Sequence, residues 1–238
     1  MEATFKQRQQ KLRKILSPLL KKYPALPREQ YLKMKVLDLV MLSSISPDPF
    51  GTNTTRAFNR LTGEYVDWNE VRVTSTNELG ELLEEFRLNP EHAVDIRNTA
   101  QVIFYKQNRL NLDFLSPGRP DEVKKYISSL KDIPETQSNI IMILINDEAD
   151  MPPTPAVRRF SQRTGLVNED ATDNAARLIY KKTLPKTHAL HTFYAICRHA
   201  QALCKENNPR CPACFMSKDC NFGSRKNTSA AARSSDRK

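Results

Sequence analysis

Four cysteines fall within seventeen residues near the C-terminus, in the stretch CKENNPRCPACFMSKDC at 204–220. Their spacing is C-x6-C-x2-C-x5-C. It constrains the fold more than any other feature, because so short a segment carrying four thiols must close into a tight loop. In a reducing compartment a disulfide framework is disfavoured. Zinc sites usually pair two close-spaced knuckles across a longer arm, and here there is a single C-x2-C. Four thiolates from one compact loop suit a cubane 4Fe–4S cluster, whose four irons each need one cysteine. A structural zinc and free thiols on a tail are the alternatives. Cys197 stands apart in HTFYAICRHAQAL and reads as a small core residue.

The chain has 238 residues, 39% of them hydrophobic, which is enough for one domain or two packed lobes with a real core. The longest apolar run, IIMILI at 140–145, is too short for a bilayer. The N-terminal MEATFKQRQQKLRKILSPLL has no secretory signal pattern. The expectation is therefore an intracellular protein without a membrane partner, in the cytoplasm or nucleoid if prokaryotic. A formal charge of +10 points to a polyanionic partner, with nucleic acid the first candidate. Arg225, Lys226, Arg233, Arg237 and Lys238 against Asp236 place +4 of this within 223–238, leaving +6 on the body. That last segment, GSRKNTSAAARSSDRK, is low in hydrophobes and expected to be a disordered basic tail.

Apolar spacing predicts helices throughout and almost no strands. A first helix covers 5–23, with Pro18 expected to kink or divide it, and a hinge follows at 23–29. Further helices are expected at 30–44, 52–61 and from Ser75 through Phe86, where Ser75 and Glu78 form a capping box. The segment around Trp68 reads as irregular. Asn89-Pro90 is expected to cap a helix running to about Lys106. The remaining helices are predicted near 121–131, 136–146, 155–164, 169–181 and 187–203. The fold class is all-α.

The cysteine spacing, set after a long helix, resembles the C-terminal 4Fe–4S loop of the endonuclease III family of helix-hairpin-helix DNA glycosylases. The resemblance extends over roughly residues 8–222. VLDLVMLSSISPDPF is similar to the family's early core helix, EEFRLNPEHAVDI to the segment with its DNA-intercalating loop, and LKDIPETQSNIIMIL to its hairpin. PPTPAVRRFSQRTGLV matches the stretch after the hairpin, and VDWNEVR is similar to a phrase in larger demethylating relatives. His199, five residues before Cys204, matches a histidine the family carries. The resemblance implies a central helical lobe at 28–150 and an iron–sulfur lobe built from 1–27 and 151–222. It also implies a monomer that binds double-stranded DNA between the lobes and turns out a base.

Against that pattern the chain has lost its chemistry. The family's hairpin usually reads Leu-Pro-Gly-Val-Gly-Arg-Lys-Thr-Ala, and here Ile133-Pro134-Glu135-Thr136-Gln137-Ser138-Asn139-Ile140-Ile141 stands instead. Glycines there let backbone N–H groups close on a phosphate. A side chain at positive φ would cost about 1–2 kcal/mol. Asn139 takes the place of the lysine that forms a Schiff base in bifunctional members, and an amide cannot do so. Thr154 takes the place of the family's essential aspartate; it keeps the helix N-cap but supplies no charge. Losing one preorganised electrostatic contact costs about 2.7–4 kcal/mol. Asp147, Glu148 and Asp150 read as a solvated loop, Lys131 as facing solvent or phosphate, and Ile45 replaces a polar pocket residue.

What remains is a set of candidate DNA contacts. Leu88 matches the intercalating leucine, or else seals its turn. Thr136 and Ser138 open the helix after the hairpin. Arg158, Arg159, Lys205, Arg210 and Lys218 are placed to meet phosphates, or to stand as ordinary surface charge. His188 and His191 read as surface or packing residues. The sequence thus reads as a DNA-binding 4Fe–4S protein, with Cys204, Cys211, Cys214 and Cys220 as ligands, lacking classical glycosylase and lyase activity. The alternatives are a glycosylase with a relocated carboxylate, and an interaction protein that no longer binds DNA.

Overall fold

Side-chain caps set several of the helix starts. In the computed structural model, which describes residues 4–146 and 150–225, α1 (Phe5–Lys22) opens with a capping box. The Gln7 N–H donates to Thr4 Oγ1 (3.3 Å) and the Thr4 N–H to Gln7 Oε1 (2.7 Å). Pro18 lies inside α1 without dividing it; buried Leu12, Ile15, Leu16 and Leu19 run along one face past the proline. In place of one helix at 30–44 there are two, α2 (Glu29–Leu32) and α3 (Val36–Ile45), because Lys35 is extended, with ψ 146°. Then follow α4 (Thr52–Glu64), α5 (Trp68–Val73), α6 (Thr76–Glu85), α7 (His92–Gln107), α8 (Pro120–Ser128) and α9 (Glu135–Ile145). The chain continues with α10 (Pro155–Thr164), α11 (Asp173–Thr183), a 3₁₀ turn at Lys186–His188, α12 (Ala189–Ala202) and a second 3₁₀ turn at Cys211–Ala213. No strand occurs among the described residues, so the all-α reading holds.

Three further local expectations fail for identifiable reasons. The segment around Trp68 is helical: the Asp67 carboxylate accepts the N–H groups of Asn69 (2.8 Å) and Glu70 (3.1 Å) and starts α5. Asn89 does not cap α7. Its Oδ1 accepts the Glu91 N–H (3.1 Å) in an Asx turn, and the helix begins two residues later than Pro90. Residues 221–225 are helical, so the expected disorder does not begin at 223; residues 226–238 lie outside the described residues.

The chain divides into two compact units, Pro27–Asn146 and Met1–Leu26 with Asp147–Lys238. In the first, α3 and α7 form the centre, with α9 and α4 on α3, α5 and α6 on α7, and α8 and α2 on α9. α3 is apolar on all faces and buried from end to end, as a central helix must be. Its buried Ser43 and Ser44 hydroxyls donate back to the carbonyls of Val40 and Met41 (both 2.7 Å), so neither is left unpaired. Asp38 is its one charged residue. It accepts from Trp68 Nε1 (2.8 Å) and so ties α5 to α3.

In the second unit α1 packs on α11 and α12, and α10 packs on α12 and α11. Buried Ser161 on α10 and Tyr180 on α11 join through their hydroxyls (3.0 Å), and burial pushes the tyrosine's pKa up. Cys197 is fully buried on α12. His191 serves packing: its Nε2 donates to the Tyr23 carbonyl (2.6 Å). α10 ends at Gly165, at φ 76°, where a Cβ would sit 2.1 Å from Asn221 Nδ2. Among the described residues no helix is long and apolar enough to cross a membrane.

Candidate functional site

The cysteine loop grows directly out of the end of α12. The N–H groups of Leu203 and Cys204 both reach the His199 carbonyl (2.9 Å each), so this residue ends the helix and starts the loop. Asn208 takes the left-handed conformation at φ 52°, and the Arg210 N–H returns to the Leu203 carbonyl (2.9 Å). Tight turns then follow one another: Cys214 N–H to the Cys211 carbonyl (3.1 Å), Ser217 N–H to that of Cys214 (3.0 Å), and Cys220 N–H to that of Met216 (3.0 Å). The result brings Cys204, Cys211, Cys214 and Cys220 onto one cavity, walled by Phe160, Leu203, Met216 and Phe222.

Polar groups lie close to three of these sulfurs. Arg163 Nη1 lies 3.5 Å from Cys204 Sγ, the Gly223 N–H points at Cys220 Sγ (3.4 Å), and His199 Nε2 is 3.7 Å from Cys214 Sγ. Burial pushes the Cys214 pKa up, and the charges of Cys220, Cys204 and Cys211 push it further the same way. Cys220 Sγ also lies 3.1 Å from the Arg163 carbonyl, a contact a thiol donates and an iron-bound sulfur would give up. Among the described residues no group of His, Cys, Asp or Glu is gathered to hold a single metal ion. A tetrahedral ion needs every sulfur about 2.3 Å from one point. In a cubane each sulfur meets a different iron. Four thiols on one cavity are the donor set that a 4Fe–4S cluster takes.

Arg163 is the brace that sequence reading missed. Its Nη1 donates to the carbonyls of Lys205 (2.6 Å) and Cys204 (3.4 Å), its Nη2 to that of Glu206 (2.9 Å), and its guanidinium lies 4.8 Å from the Phe222 ring. Arg159, one turn earlier on the same face of α10, donates from Nε to the Cys204 carbonyl (3.1 Å). The i, i+4 spacing of the two arginines was the available signal.

The other candidate residues fall into distinct environments. Arg158 pairs bidentately with Asp173 (2.8 and 2.6 Å), which holds its pKa up, so two of its donors are spent within the unit. Lys205, Arg210 and Lys218 stand exposed on the cysteine loop. Leu88 ends a Schellman turn: its N–H reaches the Leu83 carbonyl (3.0 Å), Arg87 takes the left-handed conformation at φ 56°, and the leucine is half-buried.

The hairpin stretch departs from expectation. Neither Glu135 nor Gln137 carries positive φ; α9 starts immediately after Pro134, so the anticipated strain is absent. Gln137 turns inward rather than toward a phosphate. It is 4% exposed, donates to the Val40 carbonyl (3.2 Å) and pairs with Thr99 Oγ1 (3.2 Å). Thr136 and Ser138 are half-buried on the first turn of α9, and Asn139 Nδ2 is buried without a hydrogen-bond partner. Thr154 is 1% exposed and accepts the Val157 N–H (3.4 Å) as the cap of α10. Asp150 is held by Arg177 (3.3 Å) and Lys181 (3.1 Å), while Asp147 and Glu148 lie outside the described residues. Ile45 is fully buried. His199 is 2% exposed, and burial pushes its pKa down to about 4.

No family model matches the chain. It is 21% identical over 194 residues to the transcriptional activator DEMETER of Arabidopsis thaliana, covering 74% of this chain and 10% of that protein. It is 25% identical over 179 residues to a "Putative DNA glycosylase" of the same plant, covering 72% of this chain and 59% of the relative. The chain thus spans about a tenth and about three-fifths of these two. Among solved structures it is similar to a non-covalent endonuclease III–DNA complex (TM-score 0.68, 18% identity, 92% of this chain and 97% of that one). It is likewise similar to a trapped endonuclease III–DNA covalent intermediate with an estranged adenine (0.67, 18%, 92% and 98%). A thermostable thymine-DNA glycosylase is a further match (0.59, 14%, 91% and 98%). At these identities the likeness is one of fold: the chain has the all-helical endonuclease III, helix-hairpin-helix glycosylase architecture.

Proposed function

We propose that this chain is an endonuclease III-like DNA-binding protein that carries a 4Fe–4S cluster and has no classical glycosylase or lyase activity. The observation that carries the last part is Thr154. An uncharged hydroxyl, buried and spent on capping α10, occupies the position matching the family's carboxylate. Asp150, the described carboxylate four residues earlier, is neutralised by Arg177 and Lys181. Asn139 offers an amide where a lysine amine would act.

Cys204, Cys211, Cys214 and Cys220 would hold the cluster, with Arg163 and Arg159 fixing the start of the loop around Cys204. When bound, such a cluster pins the loop at four points and supplies a one-electron couple. Duplex DNA would be met by Lys205, Arg210 and Lys218, and by the first turn of α9 at Thr136 and Ser138, with Leu88 as an apolar wedge. Arg158 and Arg159 contribute less, since their donors already have partners. The protein would bind DNA as a monomer.

A second reading, an active glycosylase using a carboxylate from elsewhere, is favoured by the likeness to the plant "Putative DNA glycosylase". A panel of duplexes, each with one damaged base, separates the two after treatment with alkali or borohydride. Retention of the duplexes without alkali-labile breaks or trapped adducts is expected. Base release from any member of the panel would overturn the non-catalytic reading, and no retention at low salt would overturn the DNA-binding one.

A further inference from the structure

His199 lies between Tyr23 and Cys214, and it and the cysteine line the cavity. His199 is enclosed by three rings in edge-on contact: Tyr23 at 6.1 Å, Phe160 at 6.2 Å and Phe215 at 5.5 Å between centroids. Its Nε2 lies 3.7 Å from Cys214 Sγ and its Nδ1 lies 3.5 Å from the Tyr23 hydroxyl. The imidazole thus has a sulfur at one ring nitrogen and a phenol at the other. An iron-bound thiolate can only accept, whereas a phenol can donate. One assignment satisfies all three groups: Tyr23 O–H donates to Nδ1, and Nε2–H donates to Cys214 Sγ.

Both partners are fixed from behind. The His199 carbonyl holds the N–H groups of Leu203 and Cys204 at the start of the loop. Tyr23 is held by its N–H to the Leu19 carbonyl (3.1 Å) and by His191 on its own carbonyl (2.6 Å). The end of α1 thereby reaches a cysteine 191 positions later in the chain.

We propose that His199 is a positioning residue that donates a hydrogen bond to the Cys214 sulfur, held in that tautomer by Tyr23, and that this bond raises the reduction potential of the bound cluster. The inference rests on the cluster reading above. Hydrogen bonds to cluster sulfurs and the outer partners of a metal's ligands are established levers on potential. A donor at the sulfur withdraws charge and so favours the reduced, more negative state.

The test uses full-length protein reconstituted anaerobically, as wild type, His199→Phe, His199→Gln and Tyr23→Phe. Iron and sulfide per chain are measured first, then the midpoint potential by spectroelectrochemical titration. His199→Phe keeps the aromatic packing and removes the donor. It is expected to shift the reduced-to-oxidised ratio about tenfold toward oxidised, a fall of about 59 mV for one electron. Tyr23→Phe is expected to shift it less in the same direction, and His199→Gln, which regains a donor, to lie between His199→Phe and wild type. An intact cluster at wild-type potential in His199→Phe, or a rise, would overturn the inference. If that variant does not load, Tyr23→Phe decides, and an unchanged potential there overturns it equally. Wild-type protein holding no iron and sulfide would instead defeat the cluster reading itself.

Discussion

Thr154 and Asn139, which carry the proposal of a non-catalytic protein, pose opposite energetic problems. Thr154 is well used: its hydroxyl accepts a first-turn N–H in a site with almost no solvent. Thr154→Ala is expected to lower stability by about 1 kcal/mol, the usual value of an N-cap, read as the midpoint of denaturant unfolding. Asn139 carries a buried donor with nothing to bond. Such a group costs about 1–3 kcal/mol, and alanine is also the better helix former. Asn139→Ala is therefore expected to raise the unfolding midpoint, and a fall would mean that the amide has a partner in solution. Asp67 adds a pH dependence. The Glu70 N–H, with smaller help from Asn69, holds its carboxylate below the ordinary value of 3.8. Its contribution is complete above that value and is lost as pH falls through the lower folded-state value. Asp67→Asn keeps an acceptor that does not titrate, so its deficit against wild type should narrow in acid. Thermal unfolding from about pH 6 down to about pH 3 checks this.

At the scale of elements, legibility in the sequence follows the range of the interactions involved. α10 was read to the residue, because Thr154 and Pro155 fix its start locally. α5 was missed because six residues give too little periodicity, although Asp67 followed by Glu70 announced a cap. The split between α2 and α3 was hidden by an apolar run continuing through Leu32, Met34 and Val36. The four cysteines were legible as one group from spacing alone, and they line one cavity. The residues supporting them were not, since Arg163 acts on carbonyls 41 to 43 positions away and Tyr23 on a histidine 176 positions away. Gln137 marks the same limit: read as a glycine replacement near a phosphate, it is a buried link from α9 to the α3 carbonyl of Val40 and to Thr99 on α7. Gln137→Ala removes that link and exposes an unmet carbonyl and hydroxyl. A loss of about 1–3 kcal/mol in chemical unfolding is expected, while a loss under about 0.5 kcal/mol, the range of an ordinary surface substitution, would show that the link is idle.

For the whole molecule the central quantity is how its positive charge is deployed. The chain carries +10, yet the arginines of α10 that sequence reading aimed at phosphates are largely committed elsewhere, Arg158 to Asp173 and Arg159 to the cysteine loop. The exposed cations on that loop are Lys205, Arg210 and Lys218. If these meet phosphates, each contact releases counterions, and log Kobs falls with log[salt] by about 0.9 for every phosphate neutralised. Replacing all three with alanine is then expected to flatten the slope by up to about 2.7, with little change in affinity between duplex sequences, because phosphate contacts carry no base information. Arg158→Ala, by contrast, should lower stability through loss of the Asp173 pair and leave the slope nearly as it was. Fluorescence anisotropy across a salt series measures both. A slope unchanged in the triple variant but flattened in Arg158→Ala would move the DNA-binding surface off the cysteine loop and onto α10.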